Sequence, residues 1–155
     1  RWEIYRAQYL DWYEAELGTS AIPYDGLLDV VKRLDEADRR WGVVTNKFRR
    51  FADPLMTAMK FQPPAGSLVT PCDVTKAKPH PEPILLAAAQ LQVAPEEMVY
   101  VGDHIRDIQA GNAAGCFTIA VKYGYIEDHD DPDQWGANLC VDTPQDLCQW
   151  IRKQL

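Results

Sequence analysis

The chain has no Cys-x-x-Cys pair and no histidine at metal-finger spacing from a cysteine, so its four cysteines do not read as a zinc site. Cys116 and Cys140 stand in apolar surroundings and read as small buried hydrophobes, which fits a reducing cytoplasm. It has no basic stripe. Its 16 Lys and Arg face 23 Asp and Glu, a net charge of −7, which argues against nucleic acid as a partner. It has no apolar run near the roughly 20 residues that cross a bilayer, and no signal-peptide layout opens it. A membrane partner is therefore not expected. Internal repeats and low-complexity tracts are absent too. The chain has no initiator Met and begins in mid-pattern without a helix cap, so the expectation is that the biological N-terminus lies elsewhere.

What is present is an ordinary globular composition. The 155 residues are 46% hydrophobic and 25% charged, enough for one domain with a real core. Trp2, Tyr5, Tyr9, Trp12, Tyr13 and Leu17 recur at near-helical spacing and predict an amphipathic helix over 1–17, ending near Gly18. Asp25 can cap a second helix carrying Leu27, Leu28, Val30, Val31 and Leu34. Trp41-Gly42-Val43-Val44 reads as a buried strand ending in Thr45-Asn46-Lys47. A helix is expected over 48–59, with Pro54 starting its main part, and a short strand over 67–70. The prolines at 79, 81 and 83 fix an extended loop, and a helix follows through Leu91. Strands over 98–101, 117–121 and 139–141 and helices over about 104–115 and 144–151 complete the pattern. Strands alternating with helices of about a dozen residues predict βαβ units and a mostly parallel sheet.

The organising stretch is Met98-Val99-Tyr100-Val101-Gly102-Asp103, with Asp107 four residues on. An apolar run bounded by glycine is a buried parallel strand, and ligands bind at the carboxyl ends of such strands. Asp103 therefore stands at the rim of the sheet, with Asp107 on the same side of the following first turn. Two such oxygen ligands suit a hard cation such as Mg²⁺, while a plain helix cap explains Asp103 equally well. Thr45-Asn46 and Lys78 belong to the same rim. A hydroxyl, backbone N–H groups and an ammonium can hold a phosphoryl group there. Singly, Thr45 reads as an N-cap and Lys78 as a surface lysine. His80 and His104 read as exposed or supporting groups, His129 as part of a solvated acidic loop, and Arg49 and Arg50 as a solvated helix face.

Together, Val43-Val44-Thr45-Asn46-Lys47, Lys78-Pro79-His80-Pro81 and Gly102-Asp103-x-x-x-Asp107 resemble the haloacid dehalogenase-like (HAD) hydrolase superfamily, in its phosphoglycolate phosphatase-like branch. The resemblance covers residues from about 19 onward, and Ile119 to Tyr125 is similar to bacterial members of the branch. It implies an α/β Rossmann-like HAD core over 19–155, with residues 1–18 as the remnant of a helical cap domain. It implies a Mg²⁺-dependent phosphatase acting on a small phosphorylated metabolite such as 2-phosphoglycolate, with N-acetylmuramic acid 6-phosphate as an alternative. By the same resemblance, Thr45 and Asn46 bind the phosphoryl group and Lys78 steadies its charge. Asp103 binds Mg²⁺, and Asp107 binds it directly or through water.

The family's opening Asp-x-Asp, which supplies nucleophile and general acid, has no match here. Tyr24-Asp25-Gly26 follows no strand, and Asp131-Pro132-Asp133 lies in a polar loop. The family's first strand runs between the strands of 43–44 and 99–101. Its loss predicts unpaired central strands, an inactive segment, and self-association that completes the sheet. Rivals are a dehalogenase of the same superfamily and a non-catalytic receiver-like domain.

Overall fold

Strands such as Trp41-Gly42-Val43-Val44 have no polar face to turn to water, so both of their sides must be covered. The computed structural model shows how. It describes the backbone of residues 3–7 and the backbone and side chains of residues 26–123 and 129–155. The elements are β1 (Glu3–Ala7), α1 (Leu27–Glu36), β2 (Trp41–Val44), α2 (Arg49–Met59), β3 (Ser67–Val69), α3 (Glu82–Leu91), β4 (Met98–Gly102), α4 (Ile105–Ala114), β5 (Phe117–Val121), β6 (Leu139–Val141) and α5 (Pro144–Gln154). The sheet runs β3-β2-β1-β4-β5-β6 and every pair is parallel. That is a doubly wound, Rossmann-like α/β order, as expected.

Period-2 alternation splits the strand residues between two apolar layers. Val43, Val99, Val101, Ile119 and Val121 pack with residues of α1, α2 and α5. Val44, Val69, Met98 and Tyr100 pack with residues of α3 and α4. Wide apolar stripes on the helices meet these layers, as with Leu27, Val30, Val31 and Leu34 on α1.

Residues 3–7 form a strand, where the aromatic spacing predicted the start of a helix. β1 lies between β2 and β4, with Arg6 opposite both Val43 and Val101. The reason is the ladder. Without a strand between them, β2 and β4 would each leave a row of backbone donors and acceptors unpaired in the middle of the protein, and one five-residue strand satisfies both. The expected gap in the sheet is therefore filled by this chain itself. The rest of the predicted cap helix, residues 8–18, lies outside the described residues, as does Asp25.

Two smaller expectations also change. Gly26 takes the N-cap position of α1 with a left-handed φ of 84°. α2 starts at Arg49, with Pro54 inside it. The N–H groups of Phe51 and Ala52 already bond the Phe48 carbonyl, so the first turn forms before the proline, which removes a single ladder bond. Among the described residues no helix is long and apolar enough to cross a membrane.

Candidate active site

Each parallel strand delivers its next residue to the same rim, so Thr45 after β2 and Asp103 after β4 stand on either side of the β1 track. The main chain carries the order one residue further, since the Thr45 N–H donates to the Val69 carbonyl at 3.0 Å. Thr45 is only 3% exposed, and its Oγ1 accepts from the Lys47 N–H at 3.0 Å. The N-cap of α2 is Phe48, so capping is not the role of Thr45. The short turn from Thr45 to Lys47 instead fixes the hydroxyl at the strand end.

Lys78 is not a surface lysine. Its side chain is 1% exposed. Its ammonium donates to the Val44 carbonyl at 3.2 Å and to Asp107 Oδ1 at 2.6 Å. It therefore ties the end of β2 to the first turn of α4. The Lys78-Pro79 peptide is cis.

Asp107 is equally committed. Its Oδ1 accepts from Lys78, and its Oδ2 accepts from the backbone N–H groups of Asp103 at 3.3 Å and His104 at 3.2 Å. The carboxylate clamps the Gly102-Asp103-His104 turn and carries the counter-charge of Lys78. Gly102 makes the clamp sterically feasible: a Cβ there would lie 2.3 Å from Asp107 Cβ. His104 holds the N-cap position of α4, so the helix-cap reading of Asp103 does not hold. Asp103 itself is 2% exposed at the rim.

Sequence reasoning expected Asp103 and Asp107 as a pair of metal ligands. The structure shows Asp107 with both oxygens on protein donors. Among the described residues there is no cluster of three or more His, Cys, Asp or Glu able to enclose a metal. An Mg²⁺ site does not require one, since this ion takes one or two carboxylates and fills its shell with water and phosphate oxygens.

Asn46 is half-buried beside Thr45. Lys47, quoted in the motif but given no role, is buried at the same turn. Nothing in a single sequence separates such a lysine from a solvated one. Tyr100 was read only as strand, yet its ring lies 5.7 Å from the Lys78 ammonium. The other candidates lie elsewhere. The His80 Nδ1 accepts from the Glu82 N–H at the start of α3. Arg49 is tied to Asp53, Asp73 and the Leu68 carbonyl, and Asp73 holds its guanidinium above the usual arginine range. Asp131 caps a short turn, and Asp133 pairs with Lys122 at 2.9 Å. A groove of about 630 Å³ beside α2 is lined by Met56, Phe61, Pro64 and Leu68 and contains none of the rim residues.

β1 is the track from which a carboxylate could enter between Thr45 and Asp103. Its carboxyl end is Ala7, while Glu3 pairs with Met98 at the opposite end. Among the described residues no nucleophilic carboxylate stands at that position.

The chain is similar to known proteins along its length. It is 41% identical to the N-acetylmuramic acid 6-phosphate phosphatase of Pseudomonas aeruginosa over 153 residues, which is 99% of this chain and 68% of that protein. It is 39% identical to a phosphoglycolate phosphatase of Xanthomonas campestris over 140 residues, which is 90% of this chain and 63% of that one. The fold matches the crystal structure of a predicted phosphoglycolate phosphatase from Haemophilus somnus with a TM-score of 0.79 at 24% identity, covering 90% of this chain and 61% of that one. The family model described as haloacid dehalogenase-like hydrolase matches residues 2–121. By its sheet order, its rim residues and these matches, the chain belongs to the haloacid dehalogenase-like hydrolase family, in the phosphoglycolate phosphatase-like branch.

Proposed function

We propose that the chain is the phosphoryl-binding core of a Mg²⁺-dependent phosphatase that acts on a small phosphomonoester. The observation that carries this reading is the buried Lys78, held between the Val44 carbonyl and Asp107 beside Thr45 and Asp103. A buried ammonium next to a strand-end hydroxyl and a rim carboxylate is arranged for charge compensation at a phosphoryl group. Thr45 Oγ1 and the main chain of Asn46 would hold phosphate oxygens. Lys78 would offset their charge. Asp103 would bind Mg²⁺ directly, and Asp107, with its oxygens committed, would reach it through water. The metal, when bound, supplies Lewis-acid charge neutralisation.

The reaction class proceeds by attack of a carboxylate on phosphorus. The described end of β1 offers Ala7 there, which supports binding without turnover by the 155-residue chain. Two substrates head the panel. N-acetylmuramic acid 6-phosphate comes first, because the relative bearing that name matches 99% of the chain at the higher identity, and 2-phosphoglycolate follows.

The test has two parts. Calorimetric titration of orthophosphate into the 155-residue chain should show binding that strengthens with Mg²⁺ and disappears in Lys78→Met. Phosphate release from both esters should stay at background with this chain and rise in an extended version whose upstream strand, ending in Asp-x-Asp, takes the β1 slot between β2 and β4. Rates for the 155-residue chain close to those of the extended version would refute the missing nucleophile. No phosphate binding with or without Mg²⁺ would refute the site. Metal-independent halide release would place the chain with dehalogenases instead.

A further inference from the structure

Lys78 needs more than its two acceptors to stay at the rim, because a lysine stem is long and flexible. Tyr100 lies beneath it. On β4 the alternation places Tyr100 on the same face as Gly102, the face on which Asp107 closes in. Tyr100 is fully buried within the layer of Val44, Ile84, Ala87 and Ala110. Its ring centroid is 5.7 Å from Lys78 Nζ, within the range of attraction between a cation and an aromatic face. Its hydroxyl is buried and has no hydrogen-bond partner among the described residues. Burial first, and then the Asp107 charge, push its phenol well above the usual tyrosine range, so the group stays neutral.

We propose that Tyr100 is a positioning residue for Lys78, its ring forming the floor that holds the ammonium over the apolar layer and aims it at the rim. An ammonium has three donors. Two go to the Val44 carbonyl and Asp107, and the ring blocks retreat into the core, which leaves the third for a phosphate oxygen at the rim. The ring does this work and the hydroxyl does not. Phenylalanine should therefore serve as well as tyrosine, and an unpartnered buried hydroxyl should cost stability. The inference rests on the phosphate-binding reading for its functional consequence, though not for its geometry.

Two measurements on the 155-residue chain test it. In proton NMR, the ε-methylene signals of Lys78, assigned by their loss in Lys78→Arg, should be shifted upfield by the ring. The shift should persist in Tyr100→Phe and vanish in Tyr100→Leu. In orthophosphate titrations well below each melting temperature, Tyr100→Phe should match the parent within about twofold and melt no lower. Tyr100→Leu should bind about three- to tenfold more weakly. Tyr100→Met, of similar length, replaces Tyr100→Leu should that variant not fold. An unshifted Lys78 signal in the parent would overturn the proposal. So would a Tyr100→Leu chain that melts earlier but binds phosphate as the parent does, since that is the behaviour of a plain core residue. A parent that binds no phosphate would sink the phosphatase reading alone, and the NMR shift would still decide this one.

Discussion

β1 and β4 are neighbours in the same sheet, parallel and in register from Glu3 opposite Met98 to Arg6 opposite Val101. They could hardly be less alike. β4 reads Met-Val-Tyr-Val-Gly, and each of its five residues is buried. β1 reads Glu-Ile-Tyr-Arg-Ala, with charge at two of five positions in a slot flanked by buried residues of both neighbours. Central parallel strands are usually continuous apolar runs. β4 is held by two apolar layers and ends in the site. β1 is placed by backbone pairing with β2 and β4 and ends in Ala7. Position in a sheet and suitability for that position are separate properties. The first follows from hydrogen-bond demand, the second from side chains.

The sharpest way to break the comparison is to remove the ion pair at the β4 end. Lys78 and Asp107 are both 1% exposed, so either one alone is an uncompensated buried charge. Lys78→Met should lower unfolding free energy by about 3–5 kcal/mol, read from urea denaturation with an unchanged slope. The double variant Lys78→Met with Asp107→Leu should recover much of that loss, because no charge is left unpaired. A single variant as stable as the parent would mean that the rim of β4 is wetter than its burial shows.

Next in size is the glycine that lets Asp107 approach. Gly102→Ala adds a methyl 2.3 Å from Asp107 Cβ, and the turn must shift to admit it. A cost of about 1–3 kcal/mol is expected, together with weaker phosphate binding. The same substitution at Gly66 would also crowd a neighbour, Leu91, but should leave phosphate affinity unchanged, which separates a packing defect from a site defect.

These two cases show what was readable in advance. Gly102-Asp103 and Asp107 were legible because a strand, a turn glycine and a helix follow one another within eleven residues. All the described strands except β1, and the alternation that sets the two layers, were legible for the same local reason. The partnership of Lys78 with Asp107 was not, since it joins residues 29 apart and depends on a loop whose path no local rule supplies. Lys47 and Tyr100 were passed over because burial at a rim is a tertiary fact. β1 was misread because Trp2, Tyr5 and Tyr9 carry helical spacing, and the demand for a strand comes from β2 and β4, which are distant in sequence.

β1 itself offers a smaller effect of opposite sign. Arg6→Val places a β-branched apolar residue at the register position between Val43 and Val101. If that slot is as apolar as its neighbours, stability should rise by about 1 kcal/mol, seen as a higher urea midpoint. The mirror change, Val101→Arg on β4, should destabilise strongly. Loss of stability in Arg6→Val would show that the charge at residue 6 is matched within the fold, and the contrast between the two strands would then narrow.

The smallest effect lies at the sheet's edge and scales the buried pair against an exposed one. Asp73 follows β3, and burial, which by itself would raise its carboxyl, is outweighed by the Thr70 N–H and by Arg49 at 2.7 Å, so it sits below the usual carboxylate range. A carboxyl lowered in the folded state stabilises fully above its unfolded pKa of about 4 and loses that contribution as pH falls through the folded value. Asp73→Asn should therefore cost well under 1 kcal/mol at pH 7, the scale of an exposed pair with an Arg49 side chain 38% exposed. It should also flatten the fall in stability below about pH 4. Thermal melts of parent and variant from pH 7 to pH 3 read both effects. Curves that run parallel through that interval would mean that neither the Thr70 N–H nor Arg49 favours the charged carboxylate of Asp73 in the folded state.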